Sequence, residues 1–517
     1  MANKGLFASA VARLLAPPAD ILNRELSPAY AYGPEHRLAQ LAATGTLQDA
    51  FYATAQAQLA EVLEAARAAD PLFVARTAVY ARTRGTMKDV PALLTAFLTV
   101  AEPDLAVRVF PRTIDNGRML RTFVQIMRSG TVGRKSLGTR PKRLVQAWLE
   151  KASIRDLMQA ATGNDPSLAD IIRMVHPRPA DGYRKAFYGW LIGKPYDVGA
   201  LPAEIAAFEA WKRDPSLPLP EVPFEWLTAF ELSAVQWAEL AGRMGWHALR
   251  MNLNALARKG AFAVEGVTER VSARLADPAA LSRVRVLPYQ LMVALGSASE
   301  GVPLEVHAAL EAALETSLSN VPAFEGRVVV APDVSGSMSS PVTGYRKGAS
   351  SKVRCIDVAA LIAAAVLRRN GEARLLPFEE RVVPLRLDPF ARIAVNAAKL
   401  AAVGGGGTNV SAPLAMINDQ RAEVDLVVIV SDNESWVDAS RHGATATMAE
   451  WNRLKKRCPA AKLVCIDLQP YGTTQAKSRK DILNVGGFSD AVFETISRFA
   501  SGDGERDWVA EVNEMEV

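Results

Sequence analysis

Five residues between positions 333 and 432 carry oxygen donors at a spacing that suits one hard cation. The apolar run Val328-Val329-Val330-Ala331-Pro332 passes into Asp333-Val334-Ser335-Gly336-Ser337. A short β-branched run predicts a buried strand, so Asp333, Ser335 and Ser337 fall on the turn at its carboxyl end. One carboxylate and two hydroxyls on a tight turn can face a single point. Further on, Gly404 to Gly407 lead into Thr408; glycine lets the backbone approach closely, and Thr408 adds a third hydroxyl. A second apolar run, Leu426 to Val430, passes into Ser431-Asp432. Such hard donors suit Mg2+ first, with Mn2+ or Ca2+ as alternatives, and do not suit zinc.

Catalytic patterns are not found beside these donors. The glycine run lacks the Gly-Lys-Ser/Thr of a phosphate-binding loop. No Gly-x-Ser-x-Gly elbow occurs, and the five histidines have no triad context. A metal-dependent nuclease needs a general base and usually a second metal cluster. The chain therefore reads as a binding protein, not an enzyme.

A second constellation is cationic. The chain carries a formal net charge of +5, and all of it lies before residue 321. Residues 101–150 hold ten basic and four acidic residues, a local excess that can meet phosphate or serve as a solvated helix face. Arg134 and Lys135 sit on a glycine-bounded loop, and Arg140, Lys142 and Arg143 surround a helix start opened by Pro141. Phosphates can meet cations and helix-start N–H groups there.

The elements that must position these groups fall into two regimes. From Ser27 to about Ser319, apolar residues recur at helical spacing, and no good alternating strand is seen. Leu120, Phe123, Val124 and Met127 make one face of a helix that Gly130 can end, with Arg118, Arg121, Gln125 and Arg128 opposite. Leu168, Ile171, Ile172 and Val175 make another, with Asp165 read as its N-cap, Pro166 at its first position and His176-Pro177 as its stop. Short amphipathic helices in series predict an α-solenoid of HEAT-like pairs. From Gly326, strand candidates at Arg327–Ala331, Ala373–Phe378, Leu426–Val430 and Leu463–Leu468 alternate with helices at Asp357–Arg369, Pro389–Ala402 and Thr445–Arg457. That order predicts a doubly wound α/β domain. The expected division is 1–322 and 323–517.

The metal pattern resembles the metal-ion-dependent adhesion site of von Willebrand factor A domains: Asp-x-Ser-x-Ser, then Thr, then Asp, each on its own loop. In the helical part, the stretch Asp115 to Phe123 is followed by Arg128-Ser129-Gly130. Gly133 to Gly138, Arg140-Pro141-Lys142-Arg143 and Asp170 to Pro179 come after it. With Thr86-Met87-Lys88-Asp89-Val90-Pro91 and Met251-Asn252-Leu253-Asn254-Ala255-Leu256, these are similar to the TROVE module of the bacterial-type Ro RNA-binding proteins. There too a von Willebrand A domain follows directly.

That resemblance, over roughly residues 20 to 500, implies an α-solenoid closed into a monomeric ring with the A domain. It implies binding of small non-coding Y-like RNA outside the ring and of single-stranded 3′ ends of misfolded RNA within it. The role implied is that of an adaptor in RNA quality control, maturation or decay, working with an exoribonuclease. It makes Lys88, Arg118, Arg121, Arg134, Lys135, Arg140, Lys142, Arg143, His176 and Arg178 candidates for RNA contact. The metal would keep one position open for an acidic group of a protein partner. The turn Ala160-Ala161-Thr162-Gly163-Asn164 has no basic residue where some relatives do, which weakens the case for a Y-like RNA more than that for single-stranded ends. The alternative is a scaffold that captures an acidic protein through the metal. Three cysteines (Cys355, Cys458 and Cys465), no apolar run long enough to span a membrane and a poor signal peptide all predict a cytoplasmic protein.

Overall fold

The structure is a computed structural model that describes residues 17–23, 26–44, 47, 54–85, 87–284, 286, 288–318, 323–342, 353–432, 434–435, 444–469, 473–477, 479–486, 496–497, 499–501 and 508–517. The chain forms two compact units that do not follow its linear order. One comprises residues 70–275, 298–307 and 515–517. The other gathers 1–69, 276–297 and 308–514. No described helix is long and apolar enough to cross a membrane.

The first unit is a helical array. It contains α3 (Pro71–Thr83), α4 (Asp89–Ala101), α5 (Pro103–Thr113), α6 (Gly117–Ser129), α7 (Thr139–Lys151), α8 (Ile154–Ala160), α9 (Leu168–Val175) and α10 (Gly182–Ile192), with further helices as far as Val267–Ala276. The other unit opens with α1 (Pro34–Thr44) and α2 (Ala55–Ala68). The local chemistry of α6 explains its span. Asn116 Oδ1 accepts from the Met119 N–H at 3.1 Å. Met119, Leu120, Phe123, Val124 and Met127 are buried, and Gly130 ends the helix at φ 88°. Each such side chain contributes about 1.5–3 kcal/mol by leaving water.

The cap of α9 differs from expectation. Asp165 is not the N-cap; Ser167 is. Its hydroxyl accepts from the Asp170 N–H at 3.1 Å, and the Asp170 carboxylate accepts from the Ser167 N–H at 3.1 Å. This reciprocal box satisfies two helix-start donors at once, which Asp165, held at φ 64° two residues earlier, does not do.

The second unit is built on a five-stranded parallel sheet. Its strands are β3 (Val328–Pro332), β4 (Arg374–Leu375), β5 (Leu426–Ser431), β6 (Lys462–Asp467) and β8 (Ile482–Gly486), in the order β4-β3-β5-β6-β8. Helices α11 (Cys355–Arg369), α12 (Ile393–Ala401), α13 (Ala412–Asp419) and α14 (Ala446–Lys455) alternate with them. β3 and β5 are buried along their whole length, which their unbroken apolar runs require of a sheet covered on both faces. The fold class is thus as expected: a helical array with a doubly wound α/β domain.

Two elements are shorter than predicted. The regular ladder of β4 stops before Pro377, which has no N–H, although Phe378 N still reaches Pro332 O at 3.1 Å. The helix expected from Pro389 starts at Ile393, because Asp388 folds the preceding residues into a turn: its Oδ1 accepts from Phe390 N at 2.9 Å. One element was not foreseen. The chain's beginning forms a hairpin, β1 (Ile21–Leu22) with β2 (Pro28–Ala31), and β2 pairs antiparallel with β7 (Thr473–Thr474).

Candidate metal and nucleic-acid sites

The strand order reverses between β3 and β5, since β4 lies on one side of β3 while β6 and β8 lie beyond β5. Open α/β sheets bind ligands at this switch point, outside the carboxyl ends of the strands. Asp333 follows β3 there and Asp432 follows β5. The two strands are in register from Val328↔Leu426 to Pro332↔Val430, so the two aspartates emerge side by side.

All five predicted donors meet there, and all are buried. Thr408 Oγ1 donates to Ser335 Oγ at 2.9 Å, and Ser335 Oγ lies 3.3 Å from Ser337 Oγ. Asp333 accepts from Ser335 N at 2.8 Å and from Ser431 Oγ at 2.6 Å. The glycine loop closes on this turn: Gly336 N donates to Gly406 O at 3.0 Å and Gly405 N to Val334 O at 3.2 Å. A Cβ at Gly404 would stand 2.5 Å from Val334 O, and one at Gly406 would stand 2.6 Å from Glu379 Oε2. Backbone bars a side chain at Gly404, whereas at Gly406 the Glu379 carboxylate would have to move aside.

The donor set fits a divalent cation. Three hydroxyls and two buried carboxylates gather at the carboxyl ends of β3 and β5. Burial, and after it the charge of Asp432, push the Asp333 carboxyl up to about 7, since desolvation and a neighbouring like charge both disfavour ionisation. A cation held by Asp333, Ser335, Ser337, Thr408 and Asp432 would relieve that repulsion and supply an electrophilic point for an acidic group.

Several residues here were not singled out by the sequence. Glu434, Ser435 and Asp467 are buried beside Asp432. Asp467 ends β6 opposite Ser431, and burial with the charges of Asp432 and Glu434 raises its carboxyl well above the usual range. Ser435 Oγ accepts from Val410 N at 3.1 Å and donates to Thr408 O at 3.4 Å. The Glu379 carboxylate accepts from Gly406 N at 2.8 Å. A strand-end scan for acidic and hydroxyl residues would have found Asp467, Ser435 and also Glu379, which directly follows the strand candidate Ala373–Phe378.

The cationic candidates are distributed over the helical array. Lys142, His176 and Arg178 line one cleft of about 590 Å³ with Gln146, Glu150 and Val175. Gln146 Nε2 donates to Val175 O at 2.6 Å, tying α7 to the end of α9, where His176 terminates the helix at φ 49°. Arg143 is exposed on α7. The loop before it is shaped by Gly130, Gly133 and Gly138, all at positive φ. The stem of Lys135 lies over Gly130, and the guanidinium of Arg134 lies over Gly138. Arg140 pairs with Asp104 at 3.1 Å on the surface. Lys88 and Arg118 are exposed but do not line the cleft. Arg121 is half-buried and donates to Ala160 O at the end of α8. A Cβ at Gly163 would collide with its guanidinium at 2.2 Å, so Arg121 is held as a helix-end donor.

Residues 327–500 match the family model of the Ro60 vWA domain. Over 525 aligned residues, spanning 92% of this chain and 94% of the relative, the chain is 26% identical to the RNA-binding protein RO60 of Deinococcus radiodurans. It is 24% identical to the RNA-binding protein RO60 of Caenorhabditis elegans over 293 residues, which cover 54% of this chain and 42% of that protein. The crystal structure of the RO (RSR) protein of Deinococcus radiodurans shares the fold, with a TM-score of 0.62 over 91% of this chain and all of that one, at 24% identity.

Proposed function

We infer that this Ro-type chain, a helical array joined to a Ro60-type von Willebrand A domain, binds RNA and presents it to a protein partner. The RNA is held through its phosphates by the cations of the 130–143 loop and the cleft of Lys142, His176 and Arg178. The preferred ligand is a single-stranded 3′ end of a misfolded RNA; a Y-like RNA is the second ligand, disfavoured by the uncharged turn 160–164. The chain acts without cleaving RNA, as a monomeric cytoplasmic adaptor in RNA quality control or decay, with an exoribonuclease as the consumer of the captured end. The divalent site, loaded with Mg2+, takes an acidic group of that partner.

The observation that carries this reading is the grouping of Lys142, His176 and Arg178 around one cleft, in a chain that matches an RNA-binding relative over 92% of its length. Phosphate contacts give affinity that falls steeply with salt and carries little sequence information, as suits a protein that samples many ends.

Filter binding at low and high salt tests it. A duplex with a single-stranded 3′ tail should bind more tightly than the blunt duplex, and the quadruple variant Arg134→Ala, Lys135→Ala, Lys142→Ala, Arg143→Ala should weaken binding to every sequence and flatten the salt slope by about four counterions. Equal binding of tailed and blunt RNA would remove the end-capture reading. An unchanged slope would move the interface elsewhere. EDTA should release a protein partner and leave the RNA bound. Labelled RNA incubated with Mg2+ should stay intact.

A further inference from the structure

We propose that the hairpin at the beginning of the chain is a brace for the metal site, with Asn23 as its positioning residue. The proposal rests on the reading of Asp333, Ser335, Ser337, Thr408 and Asp432 as ligands of a divalent cation.

Asn23 is 4% exposed and works in two directions. Its Oδ1 accepts from Ser27 N at 2.9 Å while its own N–H donates to Ser27 O at 2.8 Å, which closes the turn between β1 and β2. Its Nδ2 donates to Ser435 O at 2.8 Å, across 412 residues of sequence. Ser435 is the residue whose hydroxyl bonds both Val410 N and Thr408 O. In the same segment Glu434 N approaches Asp432 Oδ1 at 3.5 Å. The Asn23 amide thus holds Ser435, whose hydroxyl ties the segment after Asp432 to the loop that carries Thr408. The hairpin is anchored independently by the pairing of Tyr30 with Thr474 and Ala31 with Thr473. From α1, Gln40 Nε2 reaches Asp467 Oδ2 at 3.4 Å at the next strand end.

Metal affinity depends on how well such outer contacts hold the ligands; losing one typically costs about 10–100-fold. Asn23 acts through Ser435, one step further from the ligands, so the loss expected is near the lower end, about tenfold.

The experiment uses the full chain and Mn2+ as probe, with free Mn2+ read by electron paramagnetic resonance. Asn23→Asp is the informative variant. It keeps the oxygen that accepts from Ser27 N, so the turn persists, and removes the donor to Ser435 O. Because the new carboxylate would face the Ser435 carbonyl, Asn23→Ala, which removes the donor without adding charge, is measured beside it. Asn23→Asp should bind Mn2+ about tenfold more weakly than the unaltered chain, and Asn23→Ala similarly. Combination of Asn23→Asp with Ser435→Ala should cost less than the sum of the two. A purely structural role would lower the melting temperature of the metal-free chain and leave the Mn2+ affinity of the folded chain unchanged. If Asn23→Asp binds Mn2+ as tightly as the unaltered chain, the brace is refuted while the metal site stands. If the unaltered chain binds no Mn2+, the metal reading itself is lost. If Asn23→Ala does not fold, Asn23→Asp and Ser435→Ala decide the matter.

Discussion

Asp333 lies where burial and a second carboxylate both oppose ionisation, and this gives the metal site a pH signature. With its carboxyl pushed up to about 7, against about 3.9 in an unfolded chain, Asp333 contributes stability that is full in acid and is lost as pH rises through about 7. A divalent cation acts in the opposite sense, since it binds the ionised pair. Addition of Mg2+ should therefore raise the melting temperature more at about pH 8 than at about pH 6. Equal shifts at both pH values, in a scanning calorimeter, would separate Asp333 from the cation. Thr408→Val should abolish most of the Mg2+ shift at either pH while keeping the shape of the buried side chain. These five donors were legible in the sequence because each stands directly after an apolar run or a glycine run. Asn23 was not, because its partner lies 412 residues away and no local pattern marks the contact.

At the scale of elements, helices were easier to read than strands, and the reason is where the decisive interaction lies. The face of α6 and its stop at Gly130 are set within one segment. β2, four residues long, pairs over its first half with β1 and over its second half with β7 from the far end of the chain, and nothing in Pro28-Ala29-Tyr30-Ala31 alternates. The cap of α9 was misplaced because Asp165-Pro166 is a familiar opening, whereas the reciprocal box of Ser167 and Asp170 satisfies more backbone groups. Close approach is the other feature a single segment cannot reveal. A Cβ on Gly117 would stand 2.3 Å from Ala160 Cβ, so the start of α6 and the end of α8 touch through a glycine. Gly117→Ala gains up to about 1 kcal/mol of helix propensity but meets an overpacking cost of about 1–3 kcal/mol. The clash should win, lowering the urea midpoint with an unchanged slope. A midpoint that rises would show that α8 can retreat without loss.

For the whole molecule, the informative fact is that linear order and compact units disagree. Composition separates a basic first part from a neutral second part, and the motif patterns change near Gly326, so the sequence suggests a cut there. Yet Tyr30 is fully buried in the cluster that holds Val329, Ala331, Phe378, Val427, Ile429, Trp451 and Leu463, on the face of the sheet that α13 and α14 cover. Its hydroxyl donates to Pro17 O at 2.6 Å, so the ring and its polar tip are both satisfied inside the second unit. Removing a fully buried aromatic side chain costs about 3–5 kcal/mol, a large share of a typical domain's stability of about 5–15 kcal/mol. Tyr30→Ala in the full chain should therefore destabilise the unit that contains the sheet by about that amount, with Tyr30→Phe losing only the hydrogen bond, about 1 kcal/mol. A fragment of residues 323–517 lacks Tyr30 altogether. It should bind a hydrophobic dye and melt early, and a fusion that restores residues 17–44 ahead of it should recover cooperative unfolding. If the bare fragment unfolds with the same midpoint and cooperativity as the fusion, the beginning of the chain rests on the sheet without supporting it, and the brace on the metal site would lose its anchor as well.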